Sequence, residues 1–304
     1  MQITNIVPIT FMLKLGFSNS KKENLIKKIE KVTSIEHWSS QRCDANYLFN
    51  RIGISNQIYK KKILIVGAGS LGSYIISELP KIGINNITIY DYDNYEEENI
   101  MRHRLESVFA GSNKAFSMKF NLEFSYPQVL VENKNESFSE ANVKSYKLNQ
   151  YDLIIIATGN TDYMLSLNKA FKDYSLNTPV LFTWIEAKGI GVHALLVDYN
   201  KKGCFQCLFT ESERNKAHYG NNNEVTYIGN GCGGVFNPYG NITLLKGSAM
   251  VLEIVQMQLR GLIDSESNPL YSIKILSQGH VLSRRNIESQ KDFYISERCS
   301  ICGS

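Results

Sequence analysis

The 304-residue sequence lacks three features that would place it in a specialised class of protein. No uninterrupted apolar run is long enough to cross a bilayer, so we expect no membrane span. The apolar stretch 7–17 contains Lys14 and has neither the basic start nor the small-residue cleavage site of a signal peptide, so we expect a cytoplasmic protein. The net charge is only +4, from 33 basic and 29 acidic residues, so nucleic acid is not an expected partner.

What the sequence does contain is ordinary for a globular protein that buries a large core. Hydrophobic residues make up 43% of the chain and charged residues 20%. Its length suits one domain or one and a half. The pattern that organises it lies at residues 61–104. There an apolar run at 63–66 predicts a buried parallel strand, a helical pattern extends to Leu79, and a second strand at 87–90 ends on Asp91.

The turn between the first strand and the helix has the pattern G-x-G-x-x-G. Its glycines are Gly67, Gly69 and Gly72, and the carboxylate of Asp91 follows 19 residues after the last of them. In a βαβ unit such glycines let the backbone approach a nucleotide, because a Cβ atom would block that approach. At this point NAD, FAD and ATP all remain possible ligands.

The next segment narrows that choice. Asp91 and Asp93 form a D-x-D pair, and Asn99 and Arg102 follow in the pattern N-x-x-R-H. A guanidinium grips phosphate with two parallel hydrogen bonds, so Arg102 suits a triphosphate, whereas an NAD dehydrogenase has no role for it. These motifs together resemble the ThiF, MoeB and ubiquitin-activating enzyme superfamily, from about residue 61 to the C-terminus. The local departure is His103, where many members carry glutamine.

This resemblance implies an α/β, Rossmann-like nucleotide-binding fold with a mainly parallel mixed sheet. The implied reaction is ATP-dependent adenylation of the C-terminal carboxylate of a small ubiquitin-like protein. The three glycines would shape the adenosine site, and Asp91 would accept the ribose hydroxyls. Asn99, Arg102 and Lys114 would neutralise the α- and β-phosphates. Lys114 belongs to a G-x-x-K-A element at 111–115, and a lysine in the first turn of a helix indicates an anionic ligand, because the helix dipole disfavours it there.

The magnesium ligand is the main departure from the family pattern. MoeB and ThiF carry T-D-N after the next strand, and its aspartate holds Mg²⁺. This chain has Thr158, Gly159 and Asn160 there, so the aspartate is missing. Because Mg²⁺ is usually bound through one or two carboxylates, Asp162 or Asp93 is expected to supply one, with Asn160 nearby.

Two C-x-x-C pairs form the second strong signal. Cys204 and Cys207 make one pair, and Cys299 and Cys302 make the other. Each C-x-x-C turn offers two thiolates at the right spacing for tetrahedral zinc, whereas a redox motif would explain one pair but not two. Members of the resembled family carry the same arrangement, which implies one structural Zn²⁺ that pins the C-terminal tail.

Cys232 is a candidate for covalent chemistry. It lies among glycines within a predicted mobile crossover loop at about 211–240, whose first part is polar and rich in asparagine. A cysteine in this place in ThiF-like proteins bonds to the activated carrier, so Cys232 is expected to take the acyl group as a thioester. The alternative is a small buried cysteine that packs in a glycine turn.

We assign residues 1–60 to an N-terminal extension that is helical in part, with an amphipathic segment at 21–32, and residues 61–304 to the adenylation domain. Arg42 and Arg51 are weak candidates for an arginine that touches phosphate in family members. The apolar helix expected at 244–262 is predicted to be buried, in a homodimer interface as in the family.

The pattern W-x-E-x-x-G-x-G-x-H at 184–193 resembles activating enzymes of bacterial antiviral operons (CBASS and Bil-type conjugation systems). We expect its His193 to be a strand histidine satisfied by a backbone carbonyl. Strands are predicted at 271–275 and 292–295. A separate conjugating enzyme is the expected partner. Sulfur-carrier activation, peptide modification and tRNA modification remain alternatives within the superfamily, and an NAD-binding oxidoreductase or a non-catalytic scaffold remain alternatives outside it.

Overall fold

The computed structural model describes most of the chain. The described residues are 44–53, 56–145, 147–186, 189, 191–210, 227–228, 235–236, 239–263, 270–275, 286–287 and 295–303. The chain divides into two compact units, Met1–Gly53 and Ile54–Ser304. In the first unit, helix α1 (Ala45–Arg51) is capped by Asp44, whose carboxylate accepts the Tyr47 N–H at 3.1 Å. The predicted helix at 21–32 lies outside the described residues.

A mixed sheet forms the second unit. Its strands are β1 (Lys62–Val66), β2 (Asn86–Tyr90), β3 (Leu130–Lys134), β4 (Leu153–Ile156), β5 (Val180–Ile185), β6 (Gly191–Val197), β9 (Leu270–Ile275) and β10 (Asn286–Ile287). Within the described residues the strand order is β10-β9-β6-β5-β4-β1-β2-β3. The four pairings among β1 to β5 are parallel, and the three that add β6, β9 and β10 are antiparallel. Strands β7 (Tyr227–Ile228) and β8 (Val235–Phe236) pair separately.

The described part of this unit also contains six helices, of which the second to the fifth lie between parallel strands. They are α2 (Asn56–Tyr59), α3 (Ser70–Glu78), α4 (Lys114–Ser125), α5 (Glu140–Lys144), α6 (Thr161–Asp173) and α7 (Asn241–Leu259). Short 3-10 turns occur at Pro80–Ile82, Glu97–Arg102, Ser107–Phe109, Lys147–Gln150 and Phe205–Phe209. All residues of β4 are buried, as expected for a parallel strand covered on both faces. The predicted mainly parallel α/β fold is confirmed.

Helix α7 differs from the sequence-based expectation in its burial. It packs against α3 and β6, where Gly247 allows close approach because a Cβ there would lie 2.8 Å from Val192 Cγ1. Its opposite face leaves Ile242 63%, Leu245 45% and Met257 41% exposed, so a single chain buries one face only and burial of the other in a homodimer stays a prediction. It is also the one described helix that is long and apolar enough to cross a membrane by length and composition, a test that a core helix passes equally well.

The C-terminal part of the sheet is closed by a strand pair. Strand β9 pairs with β6 on one side and with β10 on the other. The predicted strand at 271–275 is therefore present. Of the strand predicted at 292–295, the first three residues lie outside the described residues, and Ile295 is not in a strand.

Candidate functional site

A cleft of about 320 Å³ opens at the carboxyl ends of β1, β2 and β4. The strand order reverses at β1, which lies between β2 and β4, and open α/β sheets bind ligands at such a switch point. Five of the residues singled out from the sequence line this cleft, namely Gly67, Gly69, Asp91, Asp93 and Asn160. Among the described residues Gly72, Asn99, Arg102, Lys114 and Asp162 do not line it.

The three glycines of the turn meet different needs. Gly67 has a φ of +98°, and a Cβ there would lie 2.7 Å from the Ala157 carbonyl oxygen. A Cβ on Gly72 would lie 2.0 Å from the carbonyl oxygen of Gly67, so this glycine closes the turn itself. A Cβ on Gly69 would meet nothing within 4 Å. Gly69 therefore leaves open space beside the cleft, at the start of α3, where an anionic ligand is favoured.

Asp91 ties the second strand to the glycine-rich turn. Its Oδ2 accepts the Ala68 N–H at 2.6 Å, and its Oδ1 accepts the Asp93 N–H at 2.9 Å. Burial raises the pKa of this carboxyl, and the two backbone N–H donors oppose that rise. Each oxygen keeps a further lone pair that can accept a hydroxyl from a ligand.

Asn113, at an unspecified position of the G-x-x-K-A element, holds the D-x-D loop in place. Its side-chain NH₂ donates to the backbone carbonyls of Asp91 at 3.0 Å and Asp93 at 3.1 Å. Its Oδ1 caps α4 by accepting the Phe116 N–H at 3.0 Å. An asparagine just before the predicted helix start was the available signal, since this residue type is favoured at that position.

Lys114 points to the acidic loop rather than into open solvent. Its Nζ lies 3.0 Å from Asp93 Oδ2, and the lysine side chain is 12% exposed. The Asp93 carboxylate therefore already supplies an anion near the start of α4. Lys114 is accordingly a weaker indicator of an anionic ligand than its position in the sequence suggests, although Asp93 itself lines the cleft.

The histidine that stands in place of the family's glutamine is buried and fully engaged. The Leu105 N–H donates to His103 Nδ1 at 3.0 Å, so Nε2 carries the proton and donates to the Ala68 carbonyl at 2.7 Å. A neutral imidazole thus offers one donor and one acceptor, as a glutamine amide does. Burial lowers the pKa of His103 to about 4, and the positive charges of Lys114 and Arg102 act in the same direction.

The backbone of Ala68 is consequently held at two points, by Asp91 at its N–H and by His103 at its carbonyl. Arg102 ends the 3-10 turn next to this contact and is half-buried. Within the part of the chain that the structure describes, its guanidinium makes no hydrogen bond or ion pair. Arg104 differs, because its guanidinium lies 5.2 Å from the Tyr74 ring centroid and 3.8 Å from Glu78 Oε1.

Asn99 has a structural role that the sequence does not indicate. Its Oδ1 accepts the Glu96 N–H at 3.1 Å in a reciprocal cap of the turn Glu97–Arg102. Its NH₂ group is the part of the side chain that remains available to donate a hydrogen bond to a phosphate. The cap fixes the turn that carries Arg102, so Asn99 also helps to set the backbone position of Arg102.

The two carboxylates considered for Mg²⁺ lie in different places. Asp93 lines the cleft, whereas Asp162 is exposed in the first turn of α6 and does not line it. Gly159 has a φ of +67°, and Asn160 Oδ1 caps α6 by accepting the Tyr163 N–H at 3.0 Å. The buried hydroxyl oxygen of Thr158 has no hydrogen-bond partner among the described residues and lies at the cleft, where a bound ligand could satisfy it.

Aromatic residues complete the cleft, and no sequence motif pointed to them. Tyr90 and Phe138 meet edge to face with ring centroids 5.1 Å apart, and the Tyr163 hydroxyl donates to the Phe138 carbonyl. Glu136 lines the same wall. Glu136 and Phe138 follow β3 and Tyr163 lies on α6, so only the sheet order brings them together.

The four cysteines of the two C-x-x-C pairs meet in space. All four sulfur atoms lie within 4.8 Å of one another, with 3.7 Å between Cys204 and Cys299 and 3.3 Å between Cys207 and Cys302. Tetrahedral zinc with bonds of about 2.3 Å places sulfur atoms roughly 3.8 Å apart, so this donor set fits the ion. Hydrogen bonds from Cys204 and Cys302 lower the pKa of Cys207, whereas the pKa values of Cys204 and Cys302 are raised, so the metal-free cluster favours a single thiolate.

The histidine of the W-x-E-x-x-G-x-G-x-H pattern has a carboxylate partner that the sequence pattern did not indicate. His193 Nε2 lies 2.6 Å from Glu186 Oε1, and both side chains are buried. Trp184 stacks on the imidazole with a centroid distance of 4.6 Å. A Cβ on Gly191 would lie 2.5 Å from Glu186 Oε1, so the glycine makes room for the pair. A carboxylate is therefore a partner of His193 at Nε2, and the expected backbone carbonyl stays a prediction.

Three candidates lie outside the described residues or outside the second compact unit. Cys232 and Arg42 lie outside the described residues. Arg51 lies on α1 in the first compact unit, where its guanidinium donates to the Tyr47 hydroxyl at 3.2 Å.

Curated relatives support the sequence resemblance. The chain is 26% identical over 274 residues to the ATP-dependent ubiquitin transferase-like protein Cap2 of Pseudomonas aeruginosa, covering 86% of this chain and 47% of the relative. It is also 26% identical over 276 residues to the adenylyltransferase and sulfurtransferase MOCS3 of Anopheles gambiae, covering 89% of this chain and 56% of the relative. The chain thus spans about half the length of these curated relatives.

Solved structures agree in fold. A crystal structure of E. coli MccB with ATP superposes with a TM-score of 0.58 at 16% identity, covering 82% of this chain and 68% of that one. The crystal structure of PaaA gives a TM-score of 0.58 at 17% identity, covering 84% and 78%. The family model for the ThiF family matches residues 44–294. With its sheet order, its glycine-rich turn and this match over most of its length, the chain belongs to the ThiF family.

Proposed function

We propose that this protein catalyses ATP-dependent adenylation of a carboxylate. The observation that carries the proposal is the position of two cations beside the glycine-rich turn. Arg102 directly precedes His103, whose ring contacts the turn at Ala68, and Lys114 pairs with Asp93, which lines the cleft. Gly69 leaves the turn open to a ligand on the cleft side. A triphosphate is the cleft ligand whose charge these two side chains complement.

The proposed reaction is a displacement at the α-phosphorus of ATP, and each site residue has a role in it. A substrate carboxylate oxygen attacks the α-phosphorus, the bond to the β-phosphate breaks, and pyrophosphate leaves. Asp91 accepts the ribose hydroxyls and so fixes the nucleoside. Arg102 stabilises the charge that develops on the phosphates, and such preorganised charge is usually the largest catalytic contribution. Lys114 joins in this role when its pairing with Asp93 is exchanged for phosphate.

Two metal ions accompany this proposal. Mg²⁺ neutralises triphosphate charge, and Asp93 is the carboxylate that we propose to hold it, because Asp93 lines the cleft and Asp162 does not. Zn²⁺ is held by the four-cysteine cluster and pins the C-terminal tail to the 3-10 turn at Phe205–Phe209.

We further propose that the carboxylate belongs to the C-terminus of a small ubiquitin-like protein. The similarity to Cap2 supports this choice over a free amino acid or a metabolite. Cys232 would then attack the acyl-adenylate, release AMP and carry the acyl group as a thioester to a separate conjugating enzyme. The similarity to MOCS3 supports the main alternative, activation of a sulfur carrier. A modified peptide is a third possible substrate, and an antiviral role rests on the sequence resemblance given above.

A homodimer is proposed from the outer face of α7. Ile242, Leu245 and Met257 are exposed on one side of this helix, and a second copy would cover them. We propose a cytoplasmic enzyme on the sequence grounds stated above.

Calorimetric titration tests the adenylation proposal. ATP with Mg²⁺ and NAD are titrated separately into wild type, Arg102→Ala and Arg104→Ala. We expect ATP to bind wild type, and Arg102→Ala to weaken it by about 10- to 100-fold, the worth of hydrogen bonds to a charged group. Arg104→Ala is the matched control, because Arg104 is already engaged by Tyr74 and Glu78. NAD binding with the same affinity in wild type and Arg102→Ala would refute the proposal. Binding of neither ATP nor NAD would favour a non-catalytic scaffold.

A further inference from the structure

Asn168 is a fully buried amide beside the cysteine cluster, on the middle of α6. Its Oδ1 accepts the Tyr199 hydroxyl at 2.8 Å and the backbone N–H of Phe205 at 3.0 Å. Its Nδ2 lies 3.6 Å from Cys204 Sγ. A buried amide whose hydrogen bonds are satisfied in this way holds the groups around it in fixed positions.

The hydrogen bonds fix which way the amide faces. A backbone N–H can only donate, so the atom next to Phe205 must be the amide oxygen. The NH₂ group is therefore the part that faces Cys204, and the sulfur is the acceptor. A metal-bound thiolate suits this donor, and partners of this kind orient metal ligands and tune affinity for the ion.

The same helix reaches the nucleotide cleft at its other end. Asn160 caps α6 and lines the cleft, and the Tyr163 hydroxyl donates to the carbonyl of Phe138 in the cleft wall. Asn160 and Asn168 are separated by about 12 Å of helix at 1.5 Å per residue. Helix α6 is thus fixed by hydrogen bonds both at the cleft and at the cluster.

We propose that Asn168 is a positioning residue for the metal-bound Cys204 thiolate, and that metal binding stiffens the cleft wall through α6. The second half of this inference rests on the proposed nucleotide site. The first half depends only on the cysteine cluster.

Zinc release tests the first half. Zinc-loaded wild type, Asn168→Asp, Tyr199→Phe and Ser166→Ala are mixed with a chromogenic chelator, and the affinity for Zn²⁺ is obtained by competition. Asn168→Asp keeps the shape and the acceptor for Tyr199 and Phe205 but turns an oxygen toward Cys204. We expect it to weaken zinc binding about 10- to 100-fold, as loss of such a partner does elsewhere. Tyr199→Phe should also weaken zinc binding, by a smaller factor.

Ser166→Ala is the matched control, because Ser166 is exposed on the same helix and its hydroxyl donates to the Tyr163 carbonyl, away from the cluster. Equal zinc affinity in Asn168→Asp and Ser166→Ala would overturn the positioning role. Circular dichroism on the loaded proteins shows that each variant is folded before the comparison is made.

ATP titration of zinc-loaded and zinc-depleted wild type tests the second half. We expect depletion to weaken ATP binding several-fold while the far-UV spectrum is retained. Unchanged affinity in folded, depleted protein would overturn the coupling. If loaded wild type binds no ATP, the proposed nucleotide site and the coupling both fail, whereas zinc affinity still decides the role of Asn168.

Discussion

Because of His103, the stability of this protein should depend on pH between about 4 and 6.5, and a glutamine at this position should remove that dependence. Burial lowers the pKa of His103 from 6.5 to about 4 in the folded state. The unfolded chain then binds a proton that the folded chain does not between these two values, so stability is complete above pH 6.5 and falls as the pH is lowered toward 4. The full difference corresponds to about 3 kcal/mol of unfolding free energy.

The measurement compares wild type with His103→Gln by urea denaturation at pH 7.5 and pH 5.0. At pH 5.0 the histidine should cost wild type about 2 kcal/mol of unfolding free energy relative to pH 7.5, from the same two pKa values. Other groups titrate in both proteins and cancel in the difference. His103→Gln should also keep ATP binding, because its amide can supply one donor and one acceptor.

His103→Ala completes this test. It removes the donor to the Ala68 carbonyl and the acceptor of the Leu105 N–H, so we expect ATP affinity to fall while Arg102 is still present. Parallel pH profiles for wild type and His103→Gln would refute the assignment of a buried neutral histidine. Unchanged ATP affinity in His103→Ala would refute its action on the glycine-rich turn.

Three further outcomes are expected. Gly69→Ala should leave the melting temperature near that of wild type and weaken ATP binding. Gly72→Ala should lower the melting temperature, because its Cβ would clash with the backbone of the preceding turn. Thermal melts combined with ATP titration measure both effects, and the same behaviour in the two variants would contradict the expectation. Asp93→Asn should weaken Mn²⁺ binding to the ATP-loaded protein, measured by electron paramagnetic resonance, and Asp162→Asn should not; the reverse order would assign the ion to α6. Metal analysis should find one Zn²⁺ per chain, and chelation should lower the melting temperature; metal-free protein as purified would count against the cluster.

The parts of the fold that depend on local pattern were predictable from the sequence. Strands β1 and β4 appear as apolar runs because parallel strands are covered on both faces. The glycine-rich turn and the acidic residue after β2 follow from spacing alone. The meeting of the two cysteine pairs was predictable in kind, since two C-x-x-C turns in one chain are typical of a shared zinc site.

What the sequence did not indicate depends on tertiary contacts. Glu136 and Phe138 enter the cleft because β3 lies at the edge of the sheet beside β2, which no local pattern encodes. Asn168 looks like an ordinary polar residue in a helix until the fold brings Cys204 beside it. The carboxylate partner of His193 was equally hidden, because Glu186 reaches it through the antiparallel pairing of β5 and β6.

The spacing of the cysteine cluster has a consequence for the order in which the protein assembles. Cys204 and Cys299 are 95 positions apart, and so are Cys207 and Cys302. Strand β9 and helix α7 both lie between the two pairs. A ribosome must therefore have made the whole antiparallel extension of the sheet before four thiolates are available to one ion. Zinc binding by all four cysteines would then report that this extension has been made, and a chain truncated before Cys299 would lack two of the four ligands.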